Sequence, residues 1–230
     1  MRLVLFDIDG TLLLTAGAGR RAIMAALREE MGDVAQFGRV RFDGKTDPQI
    51  VAELLGAAGQ AEDRRAERVQ ALCRRYVTFL ERELERSTSR TTIMPGVHPL
   101  LDRLEADRGV VLGLLTGNVA EGAALKLRAG GLDPARFVVG AYGSDAAHRP
   151  ELPPIAARRA EPFFGRVPGG EEIVIIGDTP ADIACGAGIA ARAVAVATGS
   201  YSTADLAACG PHAVFEDLRD TERVMEAILG

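Results

Sequence analysis

The chain begins with a short apolar run that ends in two carboxylates. Residues 3–6 are all apolar, and Asp7, Asp9, Gly10 and Thr11 follow almost at once. A run of this length, bounded by acids and glycine, is typical of a strand buried in a parallel sheet. Ligands of such sheets bind beyond the carboxyl ends of the strands. The two carboxylates are therefore predicted at a reactive edge, with an ordinary Asp-Gly turn as the alternative.

A second apolar run, residues 173–176, leads into a second pair of carboxylates. Gly177 closes the run, and Asp178 and Asp182 follow it. Thr179 before a proline favours a helix N-cap and first turn, because proline lacks the N–H that would be unpaired there. Asp178 is thus predicted in the loop at the strand tip, and Asp182 one turn into a helix.

A third run, residues 110–115, ends in Thr116, Gly117 and Asn118. A hydroxyl, an unhindered backbone and an amide at the start of a helix make a favourable cradle for an anion. Four carboxylates beside that cradle predict a phosphate site with a hard divalent cation, since the cation offsets the repulsion among the acids. Oxygen ligands favour Mg²⁺, which also bridges to phosphate oxygens.

In these motifs the chain resembles the haloacid dehalogenase superfamily of phosphohydrolases. The family's Asp-x-Asp-Gly-Thr motif is matched at residues 7–11, its strand ending in Thr or Ser at Thr116, and its Gly-Asp-x-x-x-Asp motif at residues 177–182. The order of the motifs fits, and the resemblance extends over essentially all 230 residues. It implies an α/β fold, a doubly wound, Rossmann-like parallel sheet with an inserted all-helical cap domain, similar to the phosphoglycolate phosphatase branch.

The resemblance also implies a role for each motif residue. Asp7 would attack phosphorus and form an aspartyl-phosphate, while Asp9 would protonate the leaving oxygen and then activate water. Mg²⁺ would be held by Asp7, the Asp9 carbonyl and Asp178, with Asp182 ligating it directly or through water. The implied phosphate-binding residues are Gly10, Thr11, Thr116, Gly117 and Asn118.

The third motif is where the chain departs from the family. Relatives carry a lysine there, often before a proline, whereas this chain has only Lys45 and Lys126, and neither is expected in that region. Arg149, followed by Pro150, takes its place. We expect Arg149 to supply the positive charge and a bidentate grip on phosphate. A surface arginine is the alternative, because arginine is by far the commoner basic residue in this sequence.

The order of the periodic segments predicts a split domain. Residues 15–90 show helical patterns, so the core is predicted at 1–14 and 91–230 and the helical cap at 15–90. The remaining chain alternates strand and helix, which favours a parallel sheet covered on both faces. The helices of the cap are predicted over 20–31, from Asp47 onward and over 62–86; the further strands are predicted near 110–115, 136–141, 172–177, 192–197 and 213–215.

Lys45 is the candidate substrate contact of the cap. It lies in the segment Gly44-Lys45-Thr46-Asp47, which resembles a cap loop that touches substrate in relatives. Lys45 is therefore predicted to recognise a carboxylate or a second anion. A plain capping turn before the helix that starts at Asp47 is an equally good interpretation.

The composition limits the classes of partner that we expect for this chain. The net charge of −5 argues against a nucleic-acid footprint. No apolar run reaches the roughly 20 residues that span a bilayer, and the N-terminal region lacks a signal-peptide pattern, so we expect a cytoplasmic protein without a membrane partner. The modest size fits a monomer or a homodimer.

The leading hypothesis is a magnesium-dependent phosphomonoester hydrolase that acts on a small phosphorylated metabolite. Two alternatives remain open: a phosphoryl-transferring sugar-phosphate mutase, and a non-catalytic phosphate-binding regulatory module. The helical insert and Asp9 both argue against the regulatory module, because a phospho-acceptor needs neither. The loops of the cap would decide between hydrolase and mutase, and the sequence does not resolve them.

Overall fold

The apolar runs form strands, and amphipathic segments pack against them as helices. The structure is a computed structural model that describes residues 1–32, 38, 40–60, 66–86 and 90–230. Its strands are β1 (Arg2–Phe6), β2 (Leu13–Leu14), β3 (Thr92–Ile93), β4 (Val110–Thr116), β5 (Val139–Tyr142), β6 (Ile173–Gly177), β7 (Arg192–Val196) and β8 (Ala213–Phe215). Its helices are α1 (Ala18–Met31), α2 (Asp47–Ala57), α3 (Ala66–Glu85), α4 (Val97–Ala106), α5 (Ala120–Ala129), α6 (Leu152–Arg159), α7 (Glu161–Phe164), α8 (Pro180–Cys185), α9 (Thr203–Ala207) and α10 (Thr221–Leu229).

Within the described ranges, six strands form one parallel sheet in the order β5-β4-β1-β6-β7-β8. The first strand therefore lies between the two strands that carry the other motifs. Phe6 pairs with Leu114 on one side and with Ile176 on the other, so the three strands end nearly level. Because all three run the same way, the residues that follow them meet at one edge of the sheet.

The central strand is buried on both faces, which explains its uninterrupted apolar run. Val4 and Phe6 pack into a cluster with residues of α4, α5 and α10, whereas Leu3 and Leu5 pack with α6 and α8. Successive side chains of a strand point to opposite faces, so a strand covered by helices on both sides has no solvent-facing position. The predicted doubly wound α/β fold is confirmed.

Helices α1, α2 and α3 form a separate hydrophobic cluster, with Tyr76 among its buried side chains and Val119 of the core at its edge. We call these three helices the insert. β2 and β3 flank the insert and pair antiparallel, with Leu14 opposite Thr92, so the chain leaves and re-enters the core at adjacent points. This arrangement agrees with a helical cap, whose boundaries at 15 and 90 stay a prediction.

The strand after α5 begins later than predicted, and the long helix of the insert is described only in part. The strand expected over 136–141 begins only at Val139, because a 3-10 turn at Pro134–Arg136 precedes it. Asp133 caps that turn by accepting a hydrogen bond from the Ala135 N–H at 2.9 Å. The helix expected over 62–86 is observed as α3, and residues 62–65 lie outside the described part of the chain. Among the described helices, none is both long and apolar enough to cross a membrane.

Candidate active site

Three buried carboxylates converge beyond the central strands. Asp7, Asp178 and Asp182 each offer an oxygen atom, and these atoms lie within 4.8 Å of one another. Asp7 directly follows β1, and its N–H donates to the carbonyl of Ile176 at 2.9 Å, which ties the two strand tips together. Asp182 lies in the first turn of α8, as the sequence predicted, and Thr179 is the N-cap of this helix.

The carboxylates are electrostatically unfavourable without a cation. Burial raises the pKa of Asp7 to about 6, although the guanidinium of Arg149 lowers it. Burial, followed by repulsion from Asp182 and Asp7, raises the pKa of Asp178 to about 8. A cluster of oxygen donors that resists ionisation fits a hard divalent cation, because such a cation stabilises the ionised form.

Glycines make room for Asp178. Gly10 has a left-handed φ of 86°, and a Cβ atom there would overlap the carboxylate of Asp178. A Cβ atom at Gly199 would overlap the same carboxylate from another side. The hydroxyl of Thr11 donates to Asp178 Oδ1 at 3.2 Å. The residues after the first aspartate pair thus shape a close-fitting position for Asp178.

Asp182 has both of its oxygens engaged within the protein. Oδ2 accepts hydrogen bonds from the Thr179 N–H at 2.9 Å and from the Thr179 hydroxyl at 2.6 Å. Oδ1 pairs with Arg149. In contrast, one carboxylate oxygen of Asp7 and one of Asp178 have no hydrogen-bond donor among the described residues. Asp7 and Asp178 are therefore the better placed pair for direct contact with a cation.

Arg149 is buried beside the first aspartate and is not a surface residue. A single nitrogen, Nη2, lies 3.1 Å from Asp7 Oδ1 and 3.3 Å from the carbonyl of Leu115, and also contacts Asp182. Burial lowers the pKa of Arg149, but Asp182 and Asp7 outweigh it and raise that pKa above its ordinary value. The same nitrogen contacts both carboxylates, and the bidentate grip on phosphate stays a prediction.

Lys126 lies at the site, where the sequence analysis did not place it. Its Nζ donates to Asp9 Oδ2 and to Asn118 Oδ1, both at 2.6 Å, and the side chain is buried. The Asn118 amide also donates to Asp9 Oδ2 at 2.8 Å and to the Thr116 hydroxyl at 2.8 Å. Lys126 was missed because it reaches Asp9 from two turns along α5. The only signal in the sequence was its position on the helix that follows Asn118.

The start of α2 lies against the anion cradle. Asp47 accepts a hydrogen bond from the Val119 N–H at 2.8 Å, and its own N–H donates to the Gly117 carbonyl at 2.7 Å. Thr46 caps the helix by accepting from the Gln49 N–H at 3.2 Å. The capping turn that the sequence analysis considered is therefore present, and it also joins the insert to the core.

A cavity of about 240 Å³ lies between the carboxylates and the insert. Lys45 lines it, with its Nζ 2.5 Å from Glu53 Oε2. Of the predicted site residues, Thr11 and Asp182 do not line the cavity; they support Asp178 and Arg149 instead. The other predicted site residues that line it are Asp7, Asp9, Gly10, Thr116, Gly117, Asn118, Arg149 and Asp178.

Comparison with known proteins identifies the family. A model of haloacid dehalogenase-like hydrolases matches residues 1–189. The chain belongs to this family. The predicted family and the predicted hydrolase class of enzyme are therefore confirmed.

Individual relatives cover nearly the whole chain. A phosphoglycolate phosphatase of Cereibacter sphaeroides is 27% identical over 230 residues, which cover 98% of each chain. A solved hydrolase from Pseudomonas syringae superimposes with a TM-score of 0.73 at 22% identity, covering 100% of this chain and 99% of the other. A β-phosphoglucomutase from Clostridium difficile gives a TM-score of 0.71 at 16% identity, covering 99% and 96%. The two solved structures establish the shared fold alone.

Proposed function

We propose that this hydrolase is a Mg²⁺-dependent phosphatase that cleaves the phosphomonoester of a small metabolite through an aspartyl-phosphate on Asp7. The observation that carries the proposal is the pairing of Asp7 and Asp178: both are buried, both line the cavity, and one oxygen of each has no donor among the described residues. The likeness to a phosphoglycolate phosphatase supports a phosphomonoester with a small organic group.

Asp7 is the nucleophile of the proposed reaction. Its carboxylate forms a bond to phosphorus as the ester P–O bond breaks in line with the attack. Attack requires the ionised carboxylate, and the Arg149 guanidinium favours that form against the effect of burial. Arg149 therefore acts by keeping Asp7 charged and oriented, and its charge also lies near the phosphoryl group.

Asp9 is the proton donor and acceptor. It gives its proton to the leaving oxygen, and the resulting carboxylate takes a proton from the water that cleaves the aspartyl-phosphate. Lys126 and Asn118 both hold Oδ2 of Asp9, so the other oxygen is the one that faces the reaction. The Asp9 side chain is 40% exposed, which agrees with its exchange of protons with substrate and water.

The phosphoryl oxygens are bound by the cradle at the end of β4 and by the loop after β1. We assign this role to Gly10, Thr116, Gly117 and Asn118, which line the cavity. Thr11 is better assigned to the support of Asp178, to which its hydroxyl donates. Lys45 lines the same cavity from the insert and remains the candidate for a second anionic group of the substrate.

Asp7, the Asp9 carbonyl and Asp178 would hold the Mg²⁺, and Asp182 would support the site through Arg149 or a water. When bound, the cation neutralises charge on the attacking and transferred oxygens. We further propose that residues 15–90 form the cap that covers the reaction, on a core formed by 1–14 and 91–230.

Release of p-nitrophenol from p-nitrophenyl phosphate tests the proposal, measured with Mg²⁺ and with a chelator. We expect Mg²⁺-dependent turnover in the unmodified protein and about a thousandfold less turnover in Asp7→Asn. The control is Asp102→Asn, which changes an exposed aspartate of α4 and should keep the turnover of the unmodified protein. Equal turnover in Asp7→Asn, or turnover that survives chelation, would contradict the mechanism. Isomerisation of a sugar phosphate in the presence of its bisphosphate, without phosphate release, would instead support the mutase.

A further inference from the structure

Tyr76 lines the cavity and has a buried hydroxyl without a hydrogen-bond partner among the described residues. The residue lies on α3 of the insert, its side chain is fully buried, and it lines the same cavity as the carboxylates. Its hydroxyl has no hydrogen bond to any residue in the described part of the chain. An unpaired buried hydroxyl costs about 1–3 kcal/mol, and such groups are nearly always bonded in folded proteins. A tyrosine that served packing alone would be better replaced by phenylalanine, so the hydroxyl points to a ligand.

Gly19 lies beside this hydroxyl. A Cβ atom at this position would lie 3.8 Å from the Tyr76 oxygen, which is ordinary contact, and 3.2 Å from Lys126 Nζ, which is tighter than most side-chain contacts. Gly19 is the second residue of α1 and does not have a left-handed φ, so its backbone does not require glycine. An added methyl group would therefore press on the ammonium and lie next to the hydroxyl.

Both groups at this point are hydrogen-bond donors. Burial, followed by the charges of Asp47 and Asp9, raises the pKa of Tyr76 well above its ordinary value, so the hydroxyl keeps its proton. The Lys126 ammonium has three N–H donors and uses two of them on Asp9 and Asn118. A hydrogen-bond acceptor on the ligand would satisfy the hydroxyl.

The position of Lys126 relates this hydroxyl to the reacting residues. The Lys126 Nζ is 2.6 Å from Asp9 Oδ2, and Asp9 is the residue that would protonate the leaving oxygen. A Cβ atom at Gly19 would lie near both this nitrogen and the Tyr76 oxygen, so the hydroxyl and Asp9 border the same region of the cavity. The leaving group of the substrate is the part of the ligand that would occupy this region.

We propose that Tyr76 is a specificity-determining residue, whose hydroxyl donates to an oxygen on the leaving group of a small alkyl phosphate. This inference rests on the proposed phosphatase function and adds the feature by which the substrate is selected. The accepting oxygen belongs to a carboxylate or to a hydroxyl group, and both present the same acceptor to Tyr76.

The test compares Tyr76→Phe with the unmodified protein on three substrates: 2-phosphoglycolate, 2-hydroxyethyl phosphate and ethyl phosphate. We expect kcat/KM to fall about tenfold to a hundredfold on whichever oxygenated ester the enzyme prefers, and to stay within about twofold on ethyl phosphate. Loss on 2-phosphoglycolate alone would assign a carboxylate, and loss on 2-hydroxyethyl phosphate alone would assign a hydroxyl. The matched control is Tyr142→Phe, because Tyr142 lies at the end of β5 and does not line the cavity. This variant should leave unchanged the substrate ratio, which is kcat/KM on the oxygenated ester divided by kcat/KM on ethyl phosphate.

Gly19→Ala provides a second variant that reaches the same space from α1. It should lower kcat/KM on the oxygenated ester relative to ethyl phosphate while the protein stays folded. If the substrate ratio is the same in Tyr76→Phe as in the unmodified protein, the role of Tyr76 is overturned and the phosphatase function stands. If the unmodified protein turns over none of these esters or p-nitrophenyl phosphate, the proposed function is overturned and the role of Tyr76 with it.

Discussion

At the scale of single residues, Arg149 shows how one nitrogen atom can serve two buried carboxylates. Nη2 makes the contacts to Asp7, Asp182 and the carbonyl of Leu115, while the buried Nε has no partner in the described chain. An ammonium group has three donors, which is the number that these contacts use. A lysine at position 149 could therefore reproduce the contacts, although its side chain is shorter by one bond.

Arg149→Lys should retain measurable activity, whereas Arg149→Met should lose most of it. Removing the cation leaves the buried carboxylates of Asp7 and Asp182 without a charged partner, which destabilises a protein by about 3–5 kcal/mol. We expect kcat on p-nitrophenyl phosphate to fall about tenfold in the lysine variant and at least a hundredfold in the methionine variant. Arg159→Met removes a half-exposed arginine that pairs with Asp145, and it should leave kcat unchanged. Equal activity in the lysine and methionine variants would show that the charge at position 149 is not needed.

The sequence predicts the site residues at and just beyond the strand ends, and it misses Lys126 and Tyr76, which lie further along helices. Asp7 and Asp178 were predictable because a buried strand leads straight into each of them. Lys126 was not, because its approach to Asp9 depends on how α5 packs beside the first loop. Tyr76 has the helical spacing of a core residue, and the sequence carries no mark of its unpaired hydroxyl. Side chains that reach a site through packing leave no local pattern.

At the scale of elements, two glycines in neighbouring segments should respond in opposite ways to alanine. A Cβ atom at Gly113, in β4, would lie 2.7 Å from Leu5 Cδ2 and 2.8 Å from the carbonyl oxygen of Val139. The sheet cannot move this carbonyl without losing its register, so Gly113→Ala should lower the free energy of unfolding by about 1–3 kcal/mol. At Gly122, in α5, the nearest atoms lie 3.4 and 3.5 Å away. Gly122→Ala should therefore raise the free energy of unfolding by about 0.4–1 kcal/mol.

Urea denaturation of the two alanine variants checks this pair. The midpoint should fall for Gly113→Ala and rise for Gly122→Ala, with little change in slope. Because the chemical change is identical, each variant is the control for the other. A fall of similar size in both would mean that α5 is packed more tightly around Gly122 than its contact distances indicate.

Element boundaries were predictable where capping chemistry is explicit in the sequence. Thr179 is the N-cap of α8, and Asp47 is the first residue of α2. Each is followed by a proline, and both helices start where the sequence predicted. The strand near 136–141 was placed too early, because the apolar residues after Pro134 were interpreted by hydropathy and the Asp133 cap was not considered. Hydropathy locates a strand, whereas the turn before it decides at which residue it begins.

At the scale of the whole molecule, the parallel sheet could be predicted better than the placement of the insert. The sheet follows from buried runs, helical crossovers and the resemblance to a known family. The insert is held on the core by contacts such as the one between Asp47 and the Val119 N–H, which are 72 residues apart in the chain. A contact of that kind depends on the finished packing of three helices, and no periodicity encodes it.

Burial of the Asp47 carboxylate also makes the stability of the whole chain depend on pH. Burial raises the pKa of Asp47 to about 6, and the charge of Asp9 raises it further. The charge of Lys126 and the hydrogen bond from the Val119 N–H lower the pKa of Asp47, but by less. In the unfolded chain this carboxylate loses its proton near pH 4. The folded state therefore binds more protons between these values. The contribution of Asp47 to stability is complete below about pH 4 and is lost as the pH rises through 6.

Asp47→Asn keeps an acceptor for the Val119 N–H and removes the buried charge. At pH 7.5 it should raise the free energy of unfolding by about 1–3 kcal/mol, and between pH 4 and 7 it should flatten the pH dependence. The measurement is urea denaturation across this range in saturating Mg²⁺, so that the carboxylates assigned to the cation stay ionised. Asp43 is a less buried aspartate just before α2, and Asp43→Asn should show the same pH dependence of stability as the unmodified protein. If Asp47→Asn is instead less stable at pH 7.5, attraction between Asp47 and Lys126 outweighs the cost of burial, and the charge holds the insert to the core.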